Sequence, residues 1–179
     1  MTGLRSGASV LLIVVAIATA PAGKLKVGDP APEFTLSYAT KDMIVPNGFS
    51  LRNEIGRNTI ILAFYPADWS GGCTKQMCTL RDGMKELSTL GASVFGISGD
   101  YVYAHREWSR QLDLPFPLLS DPKHEVASRY QSYNEQTGFN RRTVFVIDKQ
   151  GRIASIDWQY SVSTPDSFNK LKIALAALQ

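Results

Sequence analysis

Short apolar runs rich in β-branched and aromatic residues alternate along this chain with stretches that have helical spacing. The predicted strands are Glu33 to Leu36, Thr59 to Tyr65, Ser93 to Ser98, Leu118 to Leu119, Thr143 to Ile147 and Arg152 to Gln159. The predicted helices are Thr74 to Leu90, Val102 to Leu112, Asp121 to about Tyr130, and Pro165 to Leu178. This alternation is typical of a central β-sheet with helices on both faces, and the last two strands predict an antiparallel hairpin.

Two further features of the sequence are a loop-rich segment and a helix cap. Residues 37–58 are rich in loop-forming residues, with turn signals at Pro46-Asn47-Gly48. Asp100 precedes the second helix and is expected to cap it. No shift in composition marks a second domain, so one α/β domain is expected.

The first residues have the layout of a secretory signal peptide. Arg5 supplies a positive charge, the mostly apolar run from Ala8 to Ala20 follows, and small residues precede Gly23. We therefore expect a signal peptide over residues 1–22, a single domain over 23–179, and export, most simply to a periplasm. An uncleaved N-terminal membrane anchor is the alternative, although a span needs about 20 apolar residues.

Charge and composition exclude several function classes. The formal net charge is +3 over 179 residues, without a run of like charges, which indicates no nucleic-acid partner and no stable membrane partner. The sequence has no P-loop and no GxGxxG motif, so no nucleotide or flavin cofactor is implied. His105 and His124 are isolated in sequence, and a metal site is not expected.

The only two cysteines, Cys73 and Cys78, follow the predicted strand that ends at Tyr65. Cys73 falls where the chain leaves a short polar loop and enters the first turn of a helix. Unpaired N–H groups at a helix N-terminus stabilise anions, and a thiolate is an anion. Cys73 is therefore a candidate nucleophile.

The spacing of the two cysteines separates two interpretations. In an exported domain the pair could form a structural disulfide. Residues five apart on a helix have Cα atoms on the order of 8–9 Å apart, beyond the limit of roughly 7 Å for a disulfide. A structural bond would therefore require a segment that is not helical. A redox-active pair would require a helical turn that unwinds, with Gly71 and Gly72 supplying backbone freedom.

Four segments resemble the peroxiredoxins, and the C-x4-C pair resembles their PrxQ or bacterioferritin comigratory protein subgroup. The matching segments are Pro66-x-x-x-Ser70-x-x-Cys73, the C-x4-C pair itself, Leu114 to Asp121 (LPFPLLSD) and Arg142 to Asp148 (RTVFVID). The resemblance implies a thioredoxin-like fold. It also implies an enzyme that reduces hydrogen peroxide or organic hydroperoxides without a cofactor. A thioredoxin-like protein would then reduce the oxidised enzyme back to its dithiol form. With both cysteines in one chain, a monomer is the default expectation.

The resemblance also implies a role for each matching residue. Cys73 would attack the peroxide, and Cys78 would resolve the resulting sulfenic acid as an intramolecular disulfide. Arg142 would hold the thiolate and the peroxide oxygens. Ser70 would hydrogen-bond the peroxide, in a position where the family more often has threonine, and Pro66 would shield Cys73 from water.

Two other functions remain open at this stage. A thiol–disulfide oxidoreductase acting on exported proteins would use the same two thiols, although such enzymes usually carry C-x-x-C. A redox-sensing or copper-binding module would need a histidine near the cysteines. Gln76 is interpreted as solvated surface in preference to a polar support of the site.

Overall fold

The computed structural model describes residues 23–179 and forms a seven-stranded mixed sheet with a separate two-stranded hairpin. The strands are β1 (Thr35–Ala39), β2 (Ile44–Ser50), β3 (Thr59–Phe64), β4 (Ala92–Ser98), β5 (Leu118–Ser120), β6 (Tyr133–Asn134), β7 (Phe139–Asn140), β8 (Val144–Ile147) and β9 (Ile153–Asp157). The helices are α1 (Leu51–Glu54), α2 (Gly71–Asp82), α3 (Met84–Thr89), α4 (Val102–Leu112), α5 (Glu125–Arg129) and α6 (Asp166–Ala176).

The signal peptide predicted over residues 1–22 lies outside the described residues. Among the helices of residues 23–179, none combines the length and apolarity that crossing a membrane requires.

The main sheet has the order β2-β1-β5-β4-β3-β8-β9. Strands β3, β4 and β5 are parallel at its centre, β1 and β8 run antiparallel to their inner neighbours, and β8 pairs with β9 as the predicted hairpin. Because successive β3 residues point to opposite faces, Ile61 and Ala63 pack in the cluster that includes α2, α3, α4 and α6. Leu62 and Phe64 pack on the other face with α1 and α5. The predicted covering of both sheet faces is confirmed.

The segment 37–58 is more regular than predicted. It contains most of β1, all of β2 and the short helix α1. The pairing between β1 and β2 shifts register where the turn residues lie, and Asn47 takes φ +47° there, with its N–H bonded to Ser37 Oγ. The turn signals therefore produce a bulge within β2 instead of ending the strand.

The helix predicted over Thr74–Leu90 is two helices, and it starts earlier. Helix α2 begins at Gly71 and ends at Asp82, and Gly83 separates it from α3. A Cβ at Gly83 would overlap the ring of Phe168 from α6. The break therefore reflects packing of α6 against this point, which the local sequence does not encode.

The predicted cap of α4 and the predicted start of α5 also needed correction. Tyr101 is the N-cap of α4, and the Asp100 carboxylate instead accepts hydrogen bonds from Ser98 Oγ at 2.7 Å and the Asp68 N–H at 2.9 Å. Helix α5 begins at Glu125, four residues after Asp121. The Asp121 carboxylate still accepts the Ala127 N–H at 2.8 Å.

Candidate active site

Cys73 lies in the first turn of α2, directly after the loop that follows the central strand β3. Ser70 is the N-cap of this helix, and its carbonyl accepts the Thr74 N–H at 2.8 Å, which closes the first turn. The Cys73 side chain is 0% exposed, and it packs in the same cluster as Ile61 and Ala63. A thiolate here would be shielded from water and would lie near the free N–H groups of the helix N-terminus.

Arg142 brings a guanidinium to this sulfur from the other side. It stands two residues before β8, which pairs antiparallel with β3, so the sheet places it beside the end of β3. Its Nη2 donates to Cys73 Sγ at 3.5 Å. Its backbone carbonyl accepts the Tyr160 N–H at 2.8 Å. The structure thus brings together two residues that are 69 positions apart.

Gly72 makes this approach possible. A Cβ built on Gly72 would overlap the Arg142 guanidinium, whereas a Cβ on the adjacent Gly71 meets nothing within 4 Å. Both glycines lie in α2. Sequence reasoning assigned both of them flexibility, but only Gly72 is required by close packing.

Gly72→Ala is therefore expected to push the Arg142 guanidinium away from Cys73. We expect the rate of Cys73 oxidation by hydrogen peroxide to fall about tenfold to a hundredfold, the range expected for a misplaced charged donor. Gly71→Ala is the matched control, and its rate should stay within about twofold because the new methyl group meets no neighbour. The rates are measured by stopped-flow fluorescence. Equal rates in the two variants would show that the contact between Arg142 and Cys73 does not speed the oxidation.

Several buried polar atoms around this turn make no hydrogen bond within the described residues. They are Ser70 Oγ, Gln76 Oε1, Arg142 Nε and Thr143 Oγ1. Gln76 is fully buried, so its interpretation as solvated surface is wrong; its amide donates to the Phe64 carbonyl at 3.4 Å. Buried polar atoms without partners are uncommon in folded proteins. Such atoms, in residues close to Cys73 or Arg142 along the chain, are available to bind a polar molecule.

Pro66 precedes Cys73 in the chain and Cys78 follows it, and neither residue is fully buried. Pro66 is half-buried in the loop between β3 and α2. Cys78 is half-buried on α2, five residues after Cys73, and both thiols are free. With the helix wound, their separation follows helix geometry, so the disulfide cannot form in this conformation.

His105 is not isolated in the folded chain, and sequence reasoning missed its partners. Both ring nitrogens are hydrogen-bonded, Nδ1 to Asp68 Oδ2 at 2.9 Å and Nε2 to the Leu119 carbonyl at 3.2 Å. The available signal was a polar ring on the apolar face of α4, three residues before the buried Trp108. No group of three His, Cys, Asp or Glu side chains within residues 23–179 is arranged to hold a metal ion.

Tyr160, which supports Arg142 through its backbone, is buried, and its hydroxyl has no partner within the described residues. Burial, followed by the charge of Asp157, raises the pKa of Tyr160 to about 12. Between the ordinary tyrosine pKa of about 10 and this value, the folded state holds a proton that the unfolded state releases. The free energy of unfolding therefore falls as the pH rises through this window.

Tyr160→Phe is expected to weaken this alkaline loss of stability and to cost less than about 1 kcal/mol at pH 8, since no hydrogen bond is lost. Tyr130→Phe is the control for the hydrogen bond alone, because the Tyr130 hydroxyl donates to the Pro32 carbonyl at 2.9 Å, while burial also raises the pKa of Tyr130. Its loss should cost about 1 kcal/mol at pH 8. Urea unfolding of the reduced proteins at pH 8 and 11 measures both effects; an unchanged pH dependence in Tyr160→Phe would contradict the assignment.

This chain resembles known proteins in both sequence and fold. The sequence profile of the AhpC/TSA family matches residues 27–156. The chain is 38% identical over 138 residues to a protein of Coxiella burnetii named peroxiredoxin bcp, covering 74% of this chain and 87% of that one. It is 37% identical over 135 residues to the chloroplastic peroxiredoxin Q of Oryza sativa subsp. japonica, covering 75% and 59%. The crystal structure of peroxidoxin BcpB from Mycobacterium tuberculosis superposes with a TM-score of 0.75 at 29% identity, over 87% of this chain and 99% of that one.

Proposed function

Because this chain belongs to the AhpC/TSA family, in its bcp and peroxiredoxin Q group, we infer that it is a thiol-dependent peroxidase whose nucleophile is Cys73. The predicted thioredoxin-like α/β fold is that of its structural relatives. The observation that carries the assignment of the nucleophile is the buried Cys73 sulfur, 3.5 Å from the Arg142 guanidinium at a helix N-terminus. Both groups lie where they can contact the sulfur as it attacks an O–O bond.

In the first step the Cys73 thiolate attacks the terminal oxygen of the hydroperoxide. The S–O bond forms as the O–O bond breaks, and the departing oxygen takes a proton to leave as an alcohol or water. Cys73 becomes a sulfenic acid, oxidised by two electrons. Charge moves from sulfur to the leaving oxygen, so the donors of Arg142 can stabilise both atoms along the path. Ser70 Oγ, buried and without a hydrogen-bond partner among residues 23–179, is available to bond the peroxide, and Pro66 adds no competing N–H donor.

In the second step Cys78 condenses with the sulfenic acid, releasing water and forming a disulfide within the chain. This step requires the first turn of α2 to unwind, because the cysteines are too far apart on the wound helix. Gly71 and Gly72 lie at this turn. Resolution also protects Cys73 from further oxidation to the irreversible sulfinic level.

A dithiol reductant must then restore the two thiols by exchange. We propose a thioredoxin-like protein for this step. The predicted signal peptide would place the reaction outside the cytoplasm, so the reductant would be an exported protein of this type. Since one chain contains both cysteines, we propose that it works as a monomer.

Rapid mixing of the reduced protein with hydrogen peroxide tests the proposed function directly. We expect oxidation of Cys73 to be on the order of a thousandfold or more faster than that of free cysteine, given a guanidinium and a helix N-terminus at the sulfur. Oxidation at the rate of free cysteine would contradict a peroxidase. Rapid reduction of insulin disulfides by the same sample would instead favour the thiol–disulfide oxidoreductase alternative.

A further inference from the structure

The loop between β3 and α2, residues 65–70, is held by a buried hydrogen-bond network that the peroxide chemistry does not use. Asp68 Oδ1 accepts the Tyr65 hydroxyl at 2.8 Å, and Asp68 Oδ2 lies 2.9 Å from His105 Nδ1. The Asp68 N–H donates to Asp100 Oδ2 at 2.9 Å. The side chains of Asp68 and His105 are both 0% exposed. The network therefore joins the loop to the ends of β3 and β4 and to helix α4.

The partners of His105 determine how many protons the network holds. Nε2 faces the Leu119 carbonyl, which can only accept, so Nε2 carries a hydrogen. One further proton lies between His105 Nδ1 and Asp68, giving either an imidazolium with a carboxylate or two neutral groups. The Tyr65 phenol stays protonated and donates, because burial, followed by the charge of Asp68, raises the pKa of Tyr65 well above its ordinary value. Since each of these side chains is hydrogen-bonded, the network favours one orientation of the three side chains.

The chain directly after Asp68 needs such support. Trp69 has φ +56°, a conformation unusual for a bulky residue, and its side chain is 50% exposed while its indole N–H donates to Gln111 Oε1 at 2.9 Å. The Ser70 N–H donates to the Asp68 carbonyl at 2.8 Å, but the buried Ser70 Oγ has no hydrogen-bond partner in the part of the chain that the structure describes. Nothing local fixes this hydroxyl, so its position depends on the backbone of the loop.

We propose that Asp68 and His105 are positioning residues for the peroxide reaction: they hold the loop in its strained conformation, so that Ser70 Oγ meets the substrate oxygen beside Cys73. This inference rests on the peroxidase function proposed above. A buried pair of ionisable groups is costly to desolvate, and a well-packed apolar pair is often at least as stable. Stability alone therefore gives little reason for the pair, whereas placing a reacting group within a fraction of an ångström does.

The test uses a Cys78→Ser parent, in which Cys73 is the single thiol, with Asp68→Ala and His105→Gln added separately. Two rate constants are measured where circular dichroism shows each variant folded, one with hydrogen peroxide and one with iodoacetamide. Alkylation needs the thiolate but not Ser70. We expect each variant to lose about tenfold or more in the peroxide rate and less than about threefold in the alkylation rate.

Two further variants separate positioning from general disruption. In Asp68→Asn the amide can donate to His105 Nδ1 while its oxygen accepts the Tyr65 hydroxyl, so the peroxide rate should stay within about threefold. His124→Asn is the control histidine, bonded to Asn140 and not to this loop, with φ +53° that asparagine tolerates. Its ratio of peroxide to alkylation rates should equal that of the parent.

Three results would overturn the proposal. They are an unchanged peroxide rate in folded Asp68→Ala or His105→Gln, an equal fall in both rates in either variant, and a tenfold fall of the peroxide rate in Asp68→Asn. If Asp68→Ala does not fold, Tyr65→Phe replaces it; it removes one bond to Asp68, and an unchanged ratio there counts equally against the proposal. A parent that itself reacts with peroxide as slowly as free cysteine would contradict the peroxidase function, and that outcome is distinct from unchanged variants of a reactive parent.

Discussion

Cys73→Ser is expected to leave no measurable peroxide turnover. A serine hydroxyl is not ionised near neutral pH, so the variant has no anionic nucleophile to attack the O–O bond, although its volume suits the buried site and the Arg142 guanidinium remains beside it. We expect turnover to fall on the order of 10⁴-fold or more, as for other enzymes that lose their nucleophile. The measurement is peroxide consumption with dithiothreitol in excess, corrected for the reaction without protein.

The control for this variant is its own folding. Circular dichroism should show a folded protein, and urea unfolding should give a free energy of unfolding about 1–3 kcal/mol below the parent, since a hydroxyl replaces a thiol within a buried apolar cluster. Turnover by folded Cys73→Ser above about one part in a hundred of the wild-type rate would show that the reaction uses another group.

Cys78→Ser is expected to consume one equivalent of peroxide per chain and then stop. The Cys73 thiolate and its contact with Arg142 remain, so the first attack should proceed at close to the wild-type rate. Without the second thiol the sulfenic acid cannot form the intramolecular disulfide. Rapid mixing followed by mass spectrometry should therefore find one added oxygen on Cys73, trappable by a dimedone-type reagent. Only a large excess of peroxide should convert it, far more slowly than the first step, to the sulfinic acid.

Comparison of the two serine variants separates a redox pair from a structural bond. A structural disulfide would make both variants lose stability and activity to the same degree, with no burst from Cys78→Ser. In the structure both thiols are free within α2, and the folded chain does not require a bond between them. Equal destabilisation of the two variants relative to the oxidised wild type, together with equal loss of the burst, would contradict the roles proposed here.

Much of the sheet was predictable because its central strands are buried on both faces. A strand such as β3 must then be an almost continuous apolar run, which is visible in the sequence. Helix α4 was predicted with its observed bounds, Val102–Leu112, because one of its faces is apolar and the other is charged. The edge strand β2 was missed because its stability comes from pairing with β1 across a bulge, which outweighs its turn residues.

The site was predictable to the extent that its chemistry follows a local motif. Cys73, Cys78, Ser70 and Pro66 lie within 13 consecutive residues, and the strand–loop–helix around them is encoded locally. Gln76 was placed wrongly because a polar residue on a helix is usually solvated, and only packing of α2 on the sheet buries it. The network of Asp68, His105 and Tyr65 was missed because His105 comes from α4, whereas Tyr65 and Asp68 lie in the loop after β3.

The sequence by itself determined the α/β class, the position of a cysteine at a helix N-terminus and the spacing that makes a wound helix incompatible with a disulfide, since these depend on periodicity and on distance along the chain. The tertiary structure alone showed that the Arg142 guanidinium, which the family resemblance indicates, reaches the sulfur, that a side chain on Gly72 would overlap it, and that His105 is hydrogen-bonded to Asp68 in the loop before α2. Those contacts join residues 37 to 70 positions apart. Their geometry depends on how the strands pair and the helices pack, which no local pattern specifies.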